Sequence, residues 1–294
     1  MAMNSTLPER APAAESSLRE DIREVILSTL RQTSLAPMLD DLSPAFIGGK
    51  MLRARLTLRV GAACQTDRTT LLQAGAAIEM IHAASLLHDD VVDDALLRRG
   101  VPVLWRKKGI SGAILLGDLL VCHALQLVTK TEDGRLGATL VRLAGEMCEA
   151  EVEQELVTLG TVKDWETSIS IARRKTGSLF AFAATAAEAL DEVRAAALLE
   201  AGYQIGTAYQ LADDILDASG KDVADGKDLG KDARKQKVTA MTAAGWTPQA
   251  ARQRIHECCA ASTKLLAPWP EVQRAWHEYL QTDFRPIVTL FAGA

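Results

Sequence analysis

The chain has 294 residues, 48% of them apolar, and a mean hydropathy of +0.03, enough apolar side chain to bury a sizeable core. Aromatic residues make up only 4% and there are 9 prolines, which is too little strand-type side chain and turn punctuation for a sandwich or barrel and excludes an all-β fold. Lys and Arg number 33 against 38 Asp and Glu, a net charge of −5, so no global positive field exists to hold nucleic acid, and an anionic ligand must be held locally.

Residues 1–17 are rich in Ala, Ser, Pro and Glu without an apolar period and read as a disordered arm ahead of a single domain over 18–294. From Leu18 onward the pattern is helical: apolar positions recur at three and four in Leu18, Ile22, Val25, Ile26 and Leu30, and again in Leu52, Leu56 and Val60. The segment Thr69 to Val92 is apolar on nearly every side and is expected to be a central buried helix. Further helices are expected near 112–130, 135–159, 164–190, 193–218, 247–266 and 271–291, separated by short Gly- and Pro-marked loops. Ser219 to about Thr239, crowded with Lys, Asp and Gly, reads as a long functional loop. The fold class is therefore all-α. Five cysteines show no CxxC pair and no metal-ligand spacing with the five histidines. No signal-type apolar stretch opens the chain, and long apolar runs are broken by charge. Reduced cysteines, no transmembrane segment and a cytoplasmic location are the expectation.

Two acidic clusters stand out. HDDVVDD brings Asp89, Asp90, Asp93 and Asp94 directly after the run IHAASLL, and YQLADDILD brings Asp213, Asp214 and Asp217 after another apolar stretch. Residues four apart lie one helical turn above each other, so Asp89 with Asp93 and Asp213 with Asp217 each place two carboxylates on one face. A solvated acidic face explains one such pair. It does not explain two, in the same spacing, both continuing buried helices and both toward helix C-termini, where the helix dipole disfavours anions. Cations compensate that arrangement, and carboxylate oxygens suit Mg²⁺, which keeps waters and shares substrate phosphates. His88 beside the first cluster reads as a hydrogen-bonding neighbour and not as a zinc ligand.

Cationic partners for a phosphate occur at recognisable spacings. Gly48-Gly49-Lys50-Met51-Leu52-Arg53 places two glycines where a helix is expected to begin and two cations three apart on its first turn, a small anion cradle or a plain loop and surface helix. Arg98 and Arg99 follow Asp93 closely enough to reach a ligand of that cluster, or else serve as helix capping. Lys175-Thr176-Gly177 interrupts an apolar stretch with a charge and a hydroxyl. Lys227, Lys231, Lys235 and Lys237 follow the second cluster and suggest a lid.

In order, GGKMLR, EMIHAASLLHDDVVDDALLRRG, ILLGDLL, RRKTGSLF, AYQLADDILD and GKDLGKDARKQKVT resemble the trans-isoprenyl diphosphate synthases, or polyprenyl synthetases, over about residues 45–240. The resemblance implies antiparallel helices around a deep central cavity, usually as a homodimer, with two diphosphate substrates and three Mg²⁺ at the mouth. It implies Mg²⁺ on Asp89 and Asp93 of one wall, with Asp90 beside them, and on Asp213, helped by Asp214 and Asp217, of the other. Arg98, Lys175, Thr176, Gln210, Lys227 and Lys237 would hold the allylic diphosphate; Lys50, Arg53, His82 and Arg99 would hold isopentenyl diphosphate. Asp89, Asp93, Asp213, Arg98 and Lys175 would carry the chemistry: the departing diphosphate is stabilised, the allylic C–O bond ionises and the isopentenyl double bond attacks. Gln236-Lys237-Val238-Thr239-Ala240-Met241 and Glu149-Ala150-Glu151 depart from the usual family pattern.

The family reads product length one turn before the first cluster, here Ala84 and Ser85. A helical turn of about 5.4 Å is close to one isoprene unit, so small residues there leave room for growth and point to a product of C20 or longer. The chain's length and short C-terminal part instead resemble short-chain farnesyl or geranylgeranyl synthases. A terpene cyclase would carry a different second motif, and a non-catalytic prenyl-diphosphate-binding subunit would lack carboxylates that are intact here.

Overall fold

The computed structural model describes residues 11–98, 100–131, 134–219, 238–244 and 246–292, with side chains from Leu18 onward. It is built from helices: α1 (Ala11–Leu30), α2 (Leu39–Phe46), α3 (Leu52–Ala63), α4 (Arg68–Val92), α5 (Leu104–Thr129), α6 (Arg135–Val152), α7 (Trp165–Ala172), α8 (Ser178–Thr185), α9 (Glu192–Ser219), α10 (Pro248–Leu265), α11 (Pro270–Tyr279) and α12 (Arg285–Ala292). Helix α1 begins at Ala11, so residues 11–17, expected in a disordered arm, are helical. Its stripe of Ile22, Ile26 and Leu30 is buried, and α1 packs on α4.

Helix α4 is central, as its all-round apolar sequence requires: it touches α1, α2, α3, α5 and α8. Its start is fixed by Asp67, whose carboxylate accepts from the Thr70 amide at 2.9 Å. Two buried clusters make up the core. One gathers α1, α2, α4, α5 and α6; the other gathers α9 to α12. Helices α3 and α8 run between them and feed both: Ala54 and Leu58 face the first and Leu56 and Val60 the second, while Phe182 faces the first and Phe180 the second. Both segments therefore bury residues on opposite faces, and α3 buries Arg53, Arg55 and Thr57 among them.

Three expected helices are interrupted. Single π-type turns occupy Glu153–Val157, Arg173–Gly177 and Leu280–Phe284, ending α6 at Val152, splitting the expected 164–190 helix and splitting the expected 271–291 helix. Each widens the helix by one residue, a feature common at functional sites. Helix α5 begins earlier than expected, at Leu104, because it continues through a kink at Gly109, where φ is +78°. A two-residue hairpin, β1 (Leu97–Arg98) against β2 (Val101–Pro102), joins α4 to α5; its turn uses Gly100 at φ +74°. Both α4 and α5 are long and apolar enough to cross a membrane by length and composition, although the chain was expected to hold no such stretch. Most of α4's apolar stretch is buried inside the protein, as in any core helix.

Candidate active site

Each acidic cluster divides its carboxylates between two jobs. At 100° per residue, Asp89 and Asp93 share one side of the α4 terminus while Asp90 turns inward. Asp93 closes the helix, its amide bonded to the Asp89 carbonyl at 2.7 Å. Asp94 then reverses the chain in the left-handed region, φ +49°. Asp90 is 4% exposed and receives Arg98 in a fork: Nε to Oδ1 at 3.0 Å, Nε to Oδ2 at 3.2 Å and Nη2 to Oδ1 at 2.8 Å. The hairpin delivers Arg98 there, anchored by Trp105 Nε1 on the Ala95 carbonyl at 2.8 Å.

The second cluster repeats the division. On α9, Asp213 and Asp217 are half-buried, whereas Asp214 is 4% exposed. Asp214 accepts from Gln210 Nε2 at 2.7 Å and from the Ala240 amide at 3.0 Å. Asp90 and Asp214, both grouped with the metal carboxylates in the sequence reading, are therefore engaged with protein donors.

The π-type turn Arg173–Gly177 is linked to both clusters. Lys175 Nζ lies 2.5 Å from Glu151 Oε2 and donates to Gln154 Oε1 at 2.8 Å. Its charge also acts on Asp89. Thr176 Oγ1 donates to Gln210 Oε1 at 2.5 Å, and Gln210 passes the chain to Asp214. Gln154, itself buried, ties this region to Val238 through Nε2 to the Val238 carbonyl at 2.6 Å. Helix α9 approaches the turn closely: a Cβ at Gly206 would lie 2.5 Å from Gly177 Cα, and one at Gly202 2.5 Å from the Phe180 carbonyl. Only glycine permits that approach.

Burial pushes the Asp89 carboxyl up to about 6, with Glu151 and Asp93 adding repulsion against the pull of Lys175 and Arg98. Burial is the main cause, and the Lys175 ammonium is the strongest charge opposing it. Among the described residues no group of three or more His, Cys, Asp or Glu side chains is placed to hold a metal ion by itself. Half-buried pairs of oxygen donors fit Mg²⁺, which takes its remaining ligands from water and phosphate.

The other expected cations lie on a neighbouring wall. The cleft there is lined by Phe46, Gly48, Glu79, His82, Leu86 and Arg98 among others, so Arg98, expected on the allylic side, also borders the pocket of His82. Lys50 precedes α3 and does not share its first turn with Arg53, because Gly49 at φ +83° and Met51 at φ +46° bend the chain before Leu52. Lys50 Nζ rests 4.9 Å over the Phe291 ring and the Arg53 guanidinium 4.7 Å over Phe180. His88 Nε2 meets the Ile114 carbonyl at 3.2 Å, the hydrogen-bonding role expected of it. Ala84 is 1% exposed and Ser85 half-buried, its hydroxyl bonded to the His82 carbonyl at 2.9 Å. Arg99, Lys227 and Lys237, with Lys231, Lys235 and most of the expected lid, lie outside the described residues. Sequence reasoning missed Gln154, which stands in no recognisable spacing, gave Glu79 no role although it opens the first aspartate-rich motif, and treated Glu151 only as part of a departure from the family pattern.

The polyprenyl synthetase family model matches residues 36–268. A probable farnesyl diphosphate synthase of Sinorhizobium fredii is 37% identical over 236 residues, covering 75% of this chain and 70% of that protein. Component 2 of the heptaprenyl diphosphate synthase of Bacillus subtilis is 34% identical over 233 residues, covering 77% of this chain and 67% of that one. The crystal structure of a polyprenyl synthase from Caulobacter crescentus CB15, complexed with calcium and isoprenyl diphosphate, superposes with a TM-score of 0.71 at 27% identity, covering 99% of this chain and 98% of that chain. With the family model covering most of the chain and the fold built mainly from helices, the chain belongs to the polyprenyl synthetase family and is a prenyltransferase.

Proposed function

We propose that the protein condenses isopentenyl diphosphate head-to-tail with an allylic prenyl diphosphate, releasing diphosphate and a trans-prenyl chain longer by one isoprene unit per cycle. The observation that carries this reading is that Lys175-Thr176 is linked to both aspartate clusters: the lysine acts on Asp89, and the threonine is linked through Gln210 to Asp214. A diphosphate seated there meets an ammonium and a hydroxyl, with a carboxylate pair on either side.

Asp89 and Asp93 would hold Mg²⁺ on one wall and Asp213 and Asp217 on the other, three ions in all, with Asp90 and Asp214 acting as braces. Bound Mg²⁺ supplies electrostatic stabilisation to the leaving diphosphate. Lys175 and Arg98 add fixed positive charge, Arg98 being aimed by its fork on Asp90. Thr176 and Gln210 orient the diphosphate, joined by Lys227 and Lys237 of the following segment. Lys50, Arg53, His82 and Arg99 hold the second diphosphate so that its double bond attacks the allylic carbon, and the released diphosphate takes the final proton. Apolar walls from α4, α5 and α8 exclude water from the cation.

Small Ala84 and Ser85 support a product of C20 or longer. The exposed apolar side chains Ile110, Ile114 and Leu115 of α5 support association of two copies as a homodimer. Five unpaired cysteines support a reducing, cytoplasmic setting. The test is incubation of the purified protein with labelled isopentenyl diphosphate and farnesyl diphosphate. Elongated product and free diphosphate with Mg²⁺, and neither with EDTA, are expected. Binding of both diphosphates without release of diphosphate would refute catalysis and indicate a carrier subunit.

A further inference from the structure

Helix α3 opens without a cap of its own. Met51 occupies the N-cap position in the left-handed conformation, φ +46° and ψ +44°, and offers no side-chain acceptor. The first-turn amides of a helix need partners when they are buried, and here Met51, Leu52, Arg53 and Ala54 all are. The missing acceptor comes from another helix: Glu79 of α4, 25 residues on, accepts from the Ala54 amide through Oε1 at 3.1 Å. Glu79 is itself 8% exposed, and it borders the same cleft as His82, one turn along α4. A buried carboxylate is costly, and this one is set against the positive end of a helix, where the dipole favours it.

The same turn is pinned from two other sides. Tyr279, buried in the second core cluster, donates its hydroxyl to the Leu52 carbonyl at 3.1 Å. Phe180 lies under the Arg53 guanidinium, whose buried Nε has no hydrogen-bond partner in the structure. Three helices thus converge on one turn, the turn that carries Arg53 and follows Lys50.

We propose that Glu79 is a positioning residue for the isopentenyl diphosphate cradle: it caps α3 from across the fold, holding Lys50 and Arg53 in the geometry that receives the diphosphate, with Tyr279 as its counterpart on the carbonyl side. This rests on the assignment of that cradle made above. In this role Glu79 acts through α3, by its bond to the Ala54 amide. Its removal therefore weakens one substrate selectively, whereas loss of general packing would weaken both.

The experiment measures KM and kcat separately for isopentenyl diphosphate and farnesyl diphosphate in the full chain with Mg²⁺, with circular dichroism confirming the fold. Glu79→Leu is expected to raise KM for isopentenyl diphosphate about tenfold or more and to leave KM for farnesyl diphosphate within about twofold. Glu79→Gln keeps an acceptor for the Ala54 amide and is expected within about threefold of the parent for both. Tyr279→Phe is expected to shift the same KM in the same direction by a smaller factor. Should Glu79→Leu fail to fold, Glu79→Asp, one methylene too short to reach the amide, carries the same expectation. Equal rises in both KM values, no rise in either, or a Gln variant as impaired as the Leu variant would overturn the capping role. A parent protein that elongates nothing would refute the activity assigned above, and the role with it.

Discussion

The raised Asp89 carboxyl makes a prediction in which gain of stability and loss of function come from one substitution. Burial holds this group at about 6 in the folded chain against 3.8 in an open one. Between those values the folded state binds the extra proton, so unfolding free energy falls as pH rises from 3.8 toward 6 and then levels off. The full difference of about 2 pH units is worth about 3 kcal/mol at neutral pH, and about half of that at pH 5. Asp89→Asn removes the buried charge and keeps the shape. In EDTA, urea unfolding should find the Asp89→Asn variant more stable than the parent by up to about 3 kcal/mol at about pH 8, with the gap roughly halved at about pH 5 and closing near about pH 4. Prenyl transfer with Mg²⁺ should meanwhile fall by orders of magnitude. With Mg²⁺ present, the parent should recover stability that the variant does not, since the ion binds the folded state. A variant less stable than the parent at alkaline pH, or a gap that ignores pH, would refute the idea that burial holds the Asp89 carboxyl up.

Ser85→Phe should shorten the product by about one isoprene unit, read by chromatography of extracted chains, because Ser85 is half-buried one turn from Asp89 while the packed Ala84 would lose about 1–3 kcal/mol to a ring instead. Gly206→Ala should cost about 1–3 kcal/mol in thermal unfolding and raise KM for the allylic substrate, since its Cβ would meet Gly177 Cα at 2.5 Å and backbone cannot yield as a side chain does. Gln210→Leu should cut the link from Thr176 to Asp214 and lower kcat at least about tenfold in steady-state assays, with unfolding free energy down by about 1–3 kcal/mol from the loss of one of the donors to buried Asp214.

Much of this molecule could be read from its residues. The helices announced themselves because burial of one face imposes a 3.6-residue period, and α4 was identified as central because it has no polar face to expose. The acidic pairs were legible for the same geometric reason. The division within each pair was not drawn: the same 100° step that stacks Asp89 on Asp93 turns Asp90 inward, yet composition alone does not say which side a buried helix presents to solvent. The hairpin at Arg98 escaped because two residues per strand carry no alternation to detect. Glu79 escaped for a deeper reason. Its partner is a backbone amide 25 residues away, and a backbone amide leaves no mark in the letters of a sequence.

The three widened turns have a consequence for how this chain tolerates length changes. An added residue inside a helix rotates everything beyond it by about 100°, and the fold has absorbed that rotation beside Gln154, at Lys175 and beside Asp283. Removing one residue from Arg173–Gly177 would restore ordinary winding and swing the lysine and threonine off their partners, even where neither of them was the residue deleted. Indels in these three stretches should therefore be as damaging as loss of an aspartate. The same one-residue change near Thr161, between helices, should pass almost unnoticed.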